Sequence, residues 1–279
     1  MQSVSQKMEL KIRKLAIIAG DGNLPIELIN ECEKQNKIFF VIIINGHGQK
    51  ISKLYNPDFV MHLSKIGEAI KFARSKNITD LVMAGSIKRP SLKDMIPDFW
   101  TAKFLTKYGA KISGDNSILA SLARELEKEG FNILAPEDIT KNTLCPYGIL
   151  GKYSPNIENK TDIEKGFKIA KNIGINDIGQ SVIIQNGLIL AIEAAEGTDN
   201  MIKRSKLLKI GDSGAVFIKV IKPGQDQRLD RPVIGINTIK SVHNSGLDGI
   251  ALEANSIIII NLQEVIKYAD KNNLFIIGI

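Results

Sequence analysis

The sequence has few of the residues on which several large protein classes depend. Its 279 residues include two cysteines and three histidines, and aromatic residues make up 6% of the chain. Cys32 and Cys145 have no partner motif, which argues against a disulfide scaffold and favours a reducing compartment. The histidines lack the spacing of metal ligands, so no zinc site is expected. The scarcity of aromatic residues argues against a stacking platform for nucleic acid.

Long apolar runs and targeting segments are also missing. The strongest apolar runs, 38–44 and 257–260, are much shorter than a bilayer span. The polar, basic stretch 1–14 lacks the apolar region of a signal peptide. We therefore expect a cytoplasmic protein that is neither secreted nor membrane-spanning. Serine hydrolases, P-loop enzymes and thiol oxidoreductases are excluded because their motifs are absent.

The formal net charge of +7 is scattered along the chain and does not form one block. A basic balance is compatible with nucleic acid, an anionic membrane surface or a phosphorylated substrate. Without a basic block or interleaved aromatic residues, no nucleic-acid partner is expected. The hydrophobic content of 44% is enough to build one large domain or two ordinary ones.

The first half of the chain alternates buried strands with helices. Apolar runs predict strands at 15–19, 38–44, 79–84 and 131–135, and helical periodicity predicts helices at 25–36, around 66–73 and around 116–129. Such alternation is typical of a doubly wound, mostly parallel sheet. The fold class predicted here is α/β, with an N-terminal Rossmann-like domain over residues 1–150.

The periodicity lapses into Pro, Gly, Asn and Thr between 136 and 159, where we place the domain boundary. Residues 151–279 are predicted to form a C-terminal mixed α/β catalytic domain. Asn186-Gly187 between two apolar runs predicts a type I′ hairpin. Thr161 and Glu164 predict a capping box at the start of a helix. A further pair of strands is predicted around Asn255.

Two loops of the first domain suit an anion. Gly20, Gly22 and Asn23 lie between the first strand and the first helix, where backbone amides and the helix dipole favour a phosphate. Pro25 replaces the third glycine of a dinucleotide fingerprint, and no acid follows the second strand, so NAD binding is disfavoured. A phosphate or nucleotide ligand stays open.

The second loop follows the third predicted strand and contains Gly85, Lys88 and Arg89. Ligands of open α/β sheets bind outside the carboxyl ends of strands, so this loop is expected beside the first glycine loop. Lys88 and Arg89 are candidate phosphate ligands. Basic residues at an ordinary strand end are the alternative interpretation.

Three acids, Glu193, Glu196 and Asp199, follow the hairpin within seven residues. Such acids repel one another unless a metal or bases share the site, and carboxylate oxygens suit Mg²⁺. We predict a catalytic role for Glu196 and Asp199, magnesium ligation by all three acids, and substrate binding by Thr198. Thr198 or Asp199 acting only as a helix N-cap is the alternative.

The turn 222–232 concentrates charge after another apolar strand. Lys222, Gln225 and Arg228 are candidate substrate-binding residues, and Asp226 is a candidate catalytic residue and metal ligand. A solvated surface turn is the alternative, and Asp230 and Arg231 are assigned only to its shape. If the strands before Asp226 and Glu193 are neighbours, their ends assemble a carboxylate cluster.

Together these segments resemble the two-domain UDP-2,3-diacylglucosamine pyrophosphatases of bacterial lipid A synthesis. The resemblance covers nearly the whole chain in order. The matching segments are 18–25, 84–86, 193–202, 222–232, 246–254 and 274–278. Asp21 lies at a position of the first glycine loop where the resemblance leads us to expect a residue with an amide side chain.

The resemblance implies Mg²⁺-dependent cleavage of UDP-2,3-diacylglucosamine to UMP and diacylglucosamine 1-phosphate, with Asp226 as the essential acid. It implies an apolar groove for the acyl chains, expected between the domains. The expected partners are this UDP-linked substrate and at most a peripheral contact with the inner membrane; a homodimer stays open. A non-catalytic nucleotide- or lipid-binding protein and a nicotinamide-dependent oxidoreductase are the competing hypotheses.

Overall fold

The computed structural model describes residues 13–87, 96–108, 115–140, 143–211 and 214–279, which divide into two compact units. Residues 13–108 and 121–134 account for most of the first unit, and residues 135–279 for most of the second. Residues 135–150 therefore group with the second unit. No helix within the described ranges is both long and apolar enough to span a bilayer.

The first unit is built on a parallel sheet with the order β3-β2-β1-β4-β5. Its strands are β1 (Leu15–Ala19), β2 (Phe39–Ile44), β3 (Phe59–Met61), β4 (Asp80–Ala84) and β5 (Asn132–Leu134). Its helices are α1 (Leu24–Lys34), α2 (Gln49–Leu54), α3 (Ile66–Ser75), α4 (Phe99–Tyr108) and α5 (Asp115–Lys128). The doubly wound arrangement predicted from alternating apolar runs is confirmed. The sequence analysis missed β3, α2 and α4, which are short or weakly periodic.

The second unit contains a mixed six-stranded sheet with the order β6-β13-β11-β9-β7-β8 and a separate parallel pair, β10 and β12. Its strands are β6 (Gly148–Ile149), β7 (Ser181–Gln185), β8 (Leu188–Ile192), β9 (Ala215–Lys219), β10 (Val233–Ile234), β11 (Gly249–Leu252), β12 (Ile258–Ile259) and β13 (Phe275–Gly278). Its helices are α6 (Ile157–Ile175), α7 (Thr198–Ser205), α8 (Ile236–Asn244) and α9 (Leu262–Lys271). The predicted mixed α/β class is confirmed.

Local chemistry explains several of these elements. Asn186 and Gly187 both have positive φ, 48° and 78°, as the turn between β7 and β8 requires. Helix α6 begins at Ile157 and not at Thr161, because Asn156 and Asn159 form a reciprocal capping box. The predicted Thr161–Glu164 box is therefore wrong. The strand pair predicted around Asn255 is also wrong, since β12 pairs with β10 and not with β11.

The second sheet is covered on both faces. One face packs Phe217, Ile250 and Ile276 against residues of α7, α8 and α9. The other packs Ile184 and Ile218 under α6. Near-continuous apolar strands are typical of sheets buried on both sides, and Lys219 at the end of β9 is a charged exception.

Candidate active site

The ends of three strands meet at one edge of the second sheet. β8 and β9 lie on either side of β7, and both run antiparallel to it. The end of β8, the start of β7 and the end of β9 thus bring Glu193, Ser181 and Lys219 into one row. The strands that precede Glu193 and Asp226, β8 and β9, are not neighbours, so the condition for a carboxylate cluster at their ends is not met. They are parallel to each other with β7 between them, so both end at this edge.

Lys219 is the centre of a buried hydrogen-bond network in this row. Its side chain is 4% exposed, and Nζ lies 3.9 Å from Glu193 Oε2. Nζ donates to Thr198 Oγ1 at 2.7 Å and to Ser181 Oγ at 3.4 Å. The two hydroxyls in turn donate to Glu193, Thr198 at 2.6 Å and Ser181 at 2.7 Å. Each hydroxyl thus bridges the ammonium and the carboxylate, using both its acceptor and its donor capacity.

The electrostatic environment keeps Glu193 ionised. Burial by itself raises the pKa of Glu193, but the charge of Lys219 and the hydrogen bonds from Ser181, Thr198 and the Gln180 amide outweigh it and lower the pKa. For Lys219, burial is the largest influence and lowers the pKa, against the opposing pull of Glu193 and more distant acids. The site therefore has a charged pair whose ammonium loses its proton more readily than that of a surface lysine.

Thr198 connects this buried pair to the start of α7. The helix follows Gly197, whose φ of 80° directs the chain from the end of β8 into the helix. The dipole of α7 adds partial positive charge at the Thr198 end. Asp199, next along the helix, is exposed and raises the pKa of Lys219 through space. The row therefore presents a hydroxyl, helix amides and an exposed carboxylate at one place.

Glu196 is not part of this network. Its carboxylate forms a bidentate ion pair with Arg204, eight positions later in the last turn of α7, with Nε at 2.8 and 3.0 Å from its two oxygens. The Arg204 guanidinium also donates to the carbonyl of Ile192. This pairing fixes the loop between β8 and α7. Among the predicted acids of this segment, Glu193 lies inside the network, Asp199 borders it, and Glu196 holds the loop.

The turn after β9 is anchored to the neighbouring strand. Glu253, at the end of β11, accepts a hydrogen bond from the Ile221 amide at 2.9 Å and pairs with Lys171 of α6. Lys171 also donates to the Ile221 carbonyl. The chain then turns at Gly224, whose φ is 77°. The backbone that precedes these charged residues is therefore fixed at the same edge of the sheet as Lys219.

Most charges of the turn are paired locally. Asp226 accepts three hydrogen bonds from Arg228, from its amide, Nε and Nη2 at 2.8 to 3.1 Å. The Arg228 hydrogen bond is the main reason that the pKa of Asp226 is lowered from its ordinary value. Lys222 pairs with Asp177 at 2.6 Å, and Gln225 donates to Asp230 at 2.6 Å. Asp226 therefore stays a carboxylate throughout the neutral range.

Arg231 shapes the turn, as expected. Its guanidinium is buried, contacts Glu137, and donates to the carbonyls of Asn255 and Ser256 at 3.2 Å. Asp230 raises the pKa of Lys219 through space, so it also contributes negative potential to the row.

The carboxylates at this edge could hold Mg²⁺ only together with water molecules and substrate phosphates. Within the described ranges, no three His, Cys, Asp or Glu side chains lie close enough to hold a metal ion together. The predicted cluster of Asp226, Glu193, Glu196 and Asp199 is therefore not preformed, because three of these acids are already paired with bases. Mg²⁺ commonly binds through one or two carboxylates, several waters and substrate phosphates. The exposed Asp199 fits that mode, and Asp226 fits it only when the ion replaces its hydrogen bonds from Arg228. Glu193 is held in the buried network and Glu196 holds the loop.

In the first unit, the two predicted glycine loops approach closely. Asp21 and Ser86 form an antiparallel bridge with backbone hydrogen bonds of 2.8 and 2.9 Å. A Cβ on Gly20 would lie 2.5 Å from the Ser86 carbonyl oxygen, and one on Gly85 would lie 2.5 Å from that of Asp21. Only glycine fits at these two positions. Lys88 and Arg89, the candidate phosphate ligands of the second loop, lie outside the described residues.

A cavity of about 350 Å³ opens between the β1 loop and the loop after β2. Gly20, Asp21 and Gly22 line one side of it, and Gly46, Gly48 and Lys50 line the other. The carboxylate of Asp21 joins the two loops, accepting from the Gly48 amide at 2.9 Å and contacting His47 Nδ1 at 2.7 Å. Asn23 accepts from Lys50 and does not cap α1. The cavity combines glycine backbone, the start of α2 and a lysine, which suits a phosphate-bearing ligand.

The sequence analysis missed Lys219, Ser181 and the joining role of Asp21. A lysine within the apolar stretch 215–221 was the available signal, because a charged residue in a strand buried on both faces needs a partner. Its partners could not be identified from the sequence, since they come from other strands.

Comparison with known proteins covers both units. The model of the LpxI N-terminal domain matches residues 14–143, and that of the LpxI C-terminal domain matches residues 146–277. The curated UDP-2,3-diacylglucosamine pyrophosphatase LpxI of Caulobacter vibrioides is 35% identical over 275 residues, which is 96% of this chain and 98% of the relative. The matched ranges therefore include the glycine loops of the first unit and the Lys219 row of the second.

Proposed function

The chain belongs to the LpxI family, and from this premise we propose that it hydrolyses the diphosphate bond of UDP-2,3-diacylglucosamine in lipid A synthesis. The products are UMP and 2,3-diacylglucosamine 1-phosphate. The curated relative is named as a pyrophosphatase of this compound. The observation that supports the reaction most directly is the hydrogen bond from Lys219 to Thr198 at the carboxyl edge of the second sheet.

That hydrogen bond supports binding of a diphosphate at the start of α7. A helix start combines unpaired amides with a positive dipole end and is a common phosphate site. The buried ammonium of Lys219 holds the Thr198 hydroxyl, and its charge is balanced by Glu193, so the pair fixes the position of Thr198 and the first amides of α7 without adding net charge. Because Lys219 is buried, we assign it as a positioning residue that acts on the substrate through Thr198. Lys222 and Arg228 supply further positive charge for the phosphate oxygens.

In the proposed reaction, the oxygen of a water molecule forms a bond to one phosphorus, and the bond from that phosphorus to the bridging oxygen breaks. The proton that the water loses goes to a product phosphate or to solvent. The bridging oxygen leaves with the other phosphate. Asp226 orients the attacking water, and the lowered pKa of its carboxyl makes it a poor general base. Positive groups around the leaving phosphate stabilise the charge that develops there.

We further propose that activity depends on Mg²⁺, held by Asp226 and Asp199 together with diphosphate oxygens. When bound, Mg²⁺ supplies Lewis-acid stabilisation of phosphoryl oxygens. The glycine loops with Gly20, Gly22, Asn23 and Gly85 are proposed as an anion-binding site within the first unit. The protein is proposed to work in the cytoplasm, with peripheral contact to the inner membrane where its lipid substrate resides. A homodimer is compatible with this arrangement.

The test is release of UMP from detergent-dispersed UDP-2,3-diacylglucosamine, followed with Mg²⁺ and with EDTA. Asp226→Asn is expected to lower kcat by at least roughly a hundredfold while the fold persists, since it removes a charge needed in the transition state. Glu164→Gln, which changes an exposed carboxylate on α6, is the matched control and should keep full activity.

Three results would each contradict one part of the proposal. Wild-type protein that binds the substrate in the presence of Mg²⁺ without releasing UMP would be a binding protein. Full activity of Asp226→Asn would remove that residue from the mechanism. Undiminished turnover in EDTA would remove Mg²⁺ but leave the hydrolase assignment intact.

A further inference from the structure

Both ends of the turn 222–232 are attached to one segment of the chain, residues 253–258, which leads from the end of β11 into β12. At the entry to the turn, the Ile221 amide donates to the carboxylate of Glu253 at 2.9 Å. The Glu253 amide in turn donates to the carbonyl of Lys219, the last residue of β9, at 3.0 Å. The chain therefore enters the turn from a backbone that segment 253–258 holds.

The exit from the turn is held by the same segment. The Pro232 carbonyl accepts from the Ile258 amide at 2.9 Å, and β10 begins at the next residue. One position before Pro232, Nη1 of Arg231 donates to the carbonyls of Asn255 and Ser256, both at 3.2 Å. The Arg231 side chain is 6% exposed, and a buried charge needs such hydrogen bonds. Arg231 thus closes the turn on the segment that also holds its entry.

Arg231 also holds the part of the turn that contains Asp226. Its Nη2 donates to the side-chain oxygen of Gln227, the residue after Asp226, at 2.9 Å. The Asp226 carbonyl accepts from the Leu229 amide at 3.0 Å, and the Leu229 side chain is buried. The position of Asp226 therefore depends on a hydrogen-bonded turn that Arg231 fixes at its end.

The ion pair with Glu137 does not by itself explain how Arg231 is oriented. Glu137 lies in the short 3₁₀ helix Pro136–Asp138 and contacts Nη2 of Arg231. Arg231 Nε and Glu137 Oε2 are both buried, and neither has a hydrogen-bond partner among the residues that the structure describes. A guanidinium that served the ion pair alone would bring a second N–H to the second carboxylate oxygen. Arg231 instead directs Nη1 to the carbonyls at 255 and 256, so its orientation follows segment 253–258.

We propose that Arg231 positions Asp226 for the reaction by closing the turn 222–232 on segment 253–258, with Glu137 as the counter-charge of its buried guanidinium. Arg231 acts through the turn and does not touch the substrate. A carboxylate that orients water must be held closely, because a displacement of about 1 Å can lower a rate by roughly a hundredfold. This role rests on the proposed hydrolase function, which gives Asp226 its task.

Two variants separate positioning from ion pairing. Arg231→Met leaves the Glu137 carboxylate without its partner and should lower the unfolding temperature. Arg231→Met/Glu137→Met removes both charges and should regain much of that stability, since apolar groups of similar volume can replace a buried ion pair at little cost. If Arg231 served only Glu137, the double variant would behave as wild type. The positioning role predicts instead that the turn of the double variant stays loosened and its activity stays low.

Hydrogen exchange of the full chain, without substrate, measures the turn directly. The amides of Gln225, Arg228 and Leu229 have acceptors within the turn. In both variants we expect exchange over residues 222–230 to accelerate by roughly tenfold or more, because the hydrogen bonds that close the turn are removed. In the double variant, peptides from α6 and β7 should exchange as in wild type. A general loss of structure would accelerate those peptides as well.

Release of UMP from detergent-dispersed substrate measures the consequence for the reaction. The kcat of both variants should fall by roughly tenfold or more. KM should change less, because Lys222 follows the separately anchored Ile221 and pairs with Asp177. The control is Asp162→Ala, which removes a buried carboxylate that accepts from the Gly187 amide at 2.6 Å, at the opposite edge of the sheet. It should keep wild-type kcat and wild-type exchange in the turn, even where its unfolding temperature falls.

Wild-type exchange over the turn in Arg231→Met would overturn the proposal, and so would wild-type kcat in the double variant. If Arg231→Met does not fold, the double variant decides by the same two measurements. Equal acceleration of the turn in Asp162→Ala would show a general loss of structure and would also contradict the proposal. Wild-type protein that releases no UMP would contradict the hydrolase, while the exchange measurement would still decide whether Arg231 holds the turn.

Discussion

The ammonium of Lys219 donates a 2.7 Å hydrogen bond to the hydroxyl of Thr198, a residue 21 positions earlier in the chain. The Thr198 hydroxyl in turn donates a hydrogen bond to Glu193, so one hydroxyl connects a buried cation, a buried anion and the start of α7. A substitution at any of these three residues should therefore affect both the stability of the second unit and the site.

Thr198→Val keeps the shape of the side chain and removes the hydroxyl. We expect kcat/KM to fall by roughly tenfold to a hundredfold, because Lys219 and Glu193 each lose a hydrogen bond in a buried place. Thr198→Ser restores the hydroxyl and should recover activity to within about threefold of wild type. Steady-state kinetics of UMP release distinguishes the two variants. Equal loss in both would mean that the methyl group matters and the hydroxyl does not.

Lys219→Met and Glu193→Gln test the coupling of the buried pair. Removing Lys219 leaves an uncompensated buried carboxylate and should lower the free energy of unfolding by about 3–5 kcal/mol. The double variant should lose less than the sum of the single variants, with a coupling energy of about 0.5–3 kcal/mol. Urea denaturation of the four proteins measures it. Additive losses would show that the two side chains do not interact.

The Asp226 carboxylate should stabilise the fold in a pH-dependent manner. Hydrogen bonds from Arg228 lower the pKa of Asp226 below its ordinary 3.8. A lowered carboxyl pKa in the folded state gives stabilisation that is complete above the unfolded pKa and is lost as pH falls through the folded pKa. The stability difference between wild type and Asp226→Asn should therefore be largest at neutral pH and shrink below pH 3.8.

Denaturation of both proteins over a pH series measures this difference. In Arg228→Gln the pKa of Asp226 should rise toward its ordinary value, so acid destabilisation should begin at higher pH than in wild type. A difference between wild type and Asp226→Asn that is independent of pH would contradict the assignment of the Arg228 pairing.

Gly85→Ala tests the contact between the two glycine loops of the first unit. An added Cβ would meet the Asp21 carbonyl oxygen at 2.5 Å, at a residue with a φ of 91°. We expect a loss of at least about 3 kcal/mol in stability, from the clash together with the strained backbone. Gly22→Ala is the control for strain alone, because its φ is 105° and nothing lies within 4 Å of the added atom. Its expected cost is about 1–2 kcal/mol, measured by thermal unfolding.

Much of the fold could be predicted because it is encoded by local patterns. The apolar run Leu15–Ala19 forms β1, and the turn Asn186-Gly187 joins β7 to β8, since only positive φ at both residues closes that turn. The resemblance found in the loop motifs is confirmed by matches over both units. The start of α6 was placed too late because asparagine at 156 and 159 forms a capping box as well as threonine and glutamate do.

The sequence by itself determined most of the strands, the hairpin, the two-unit α/β class and the family. Each of these depends on residues close together in the chain or on short contiguous motifs. Tertiary structure alone decided which charges meet. The strand order β8-β7-β9 places Glu193, Ser181 and Lys219 in one row, although they span 38 residues. It also separates acids that are neighbours in sequence: Glu193 joins Lys219, while Glu196 pairs with Arg204. The partner of a buried charge is set by strand order, and no local pattern in the sequence specifies that order.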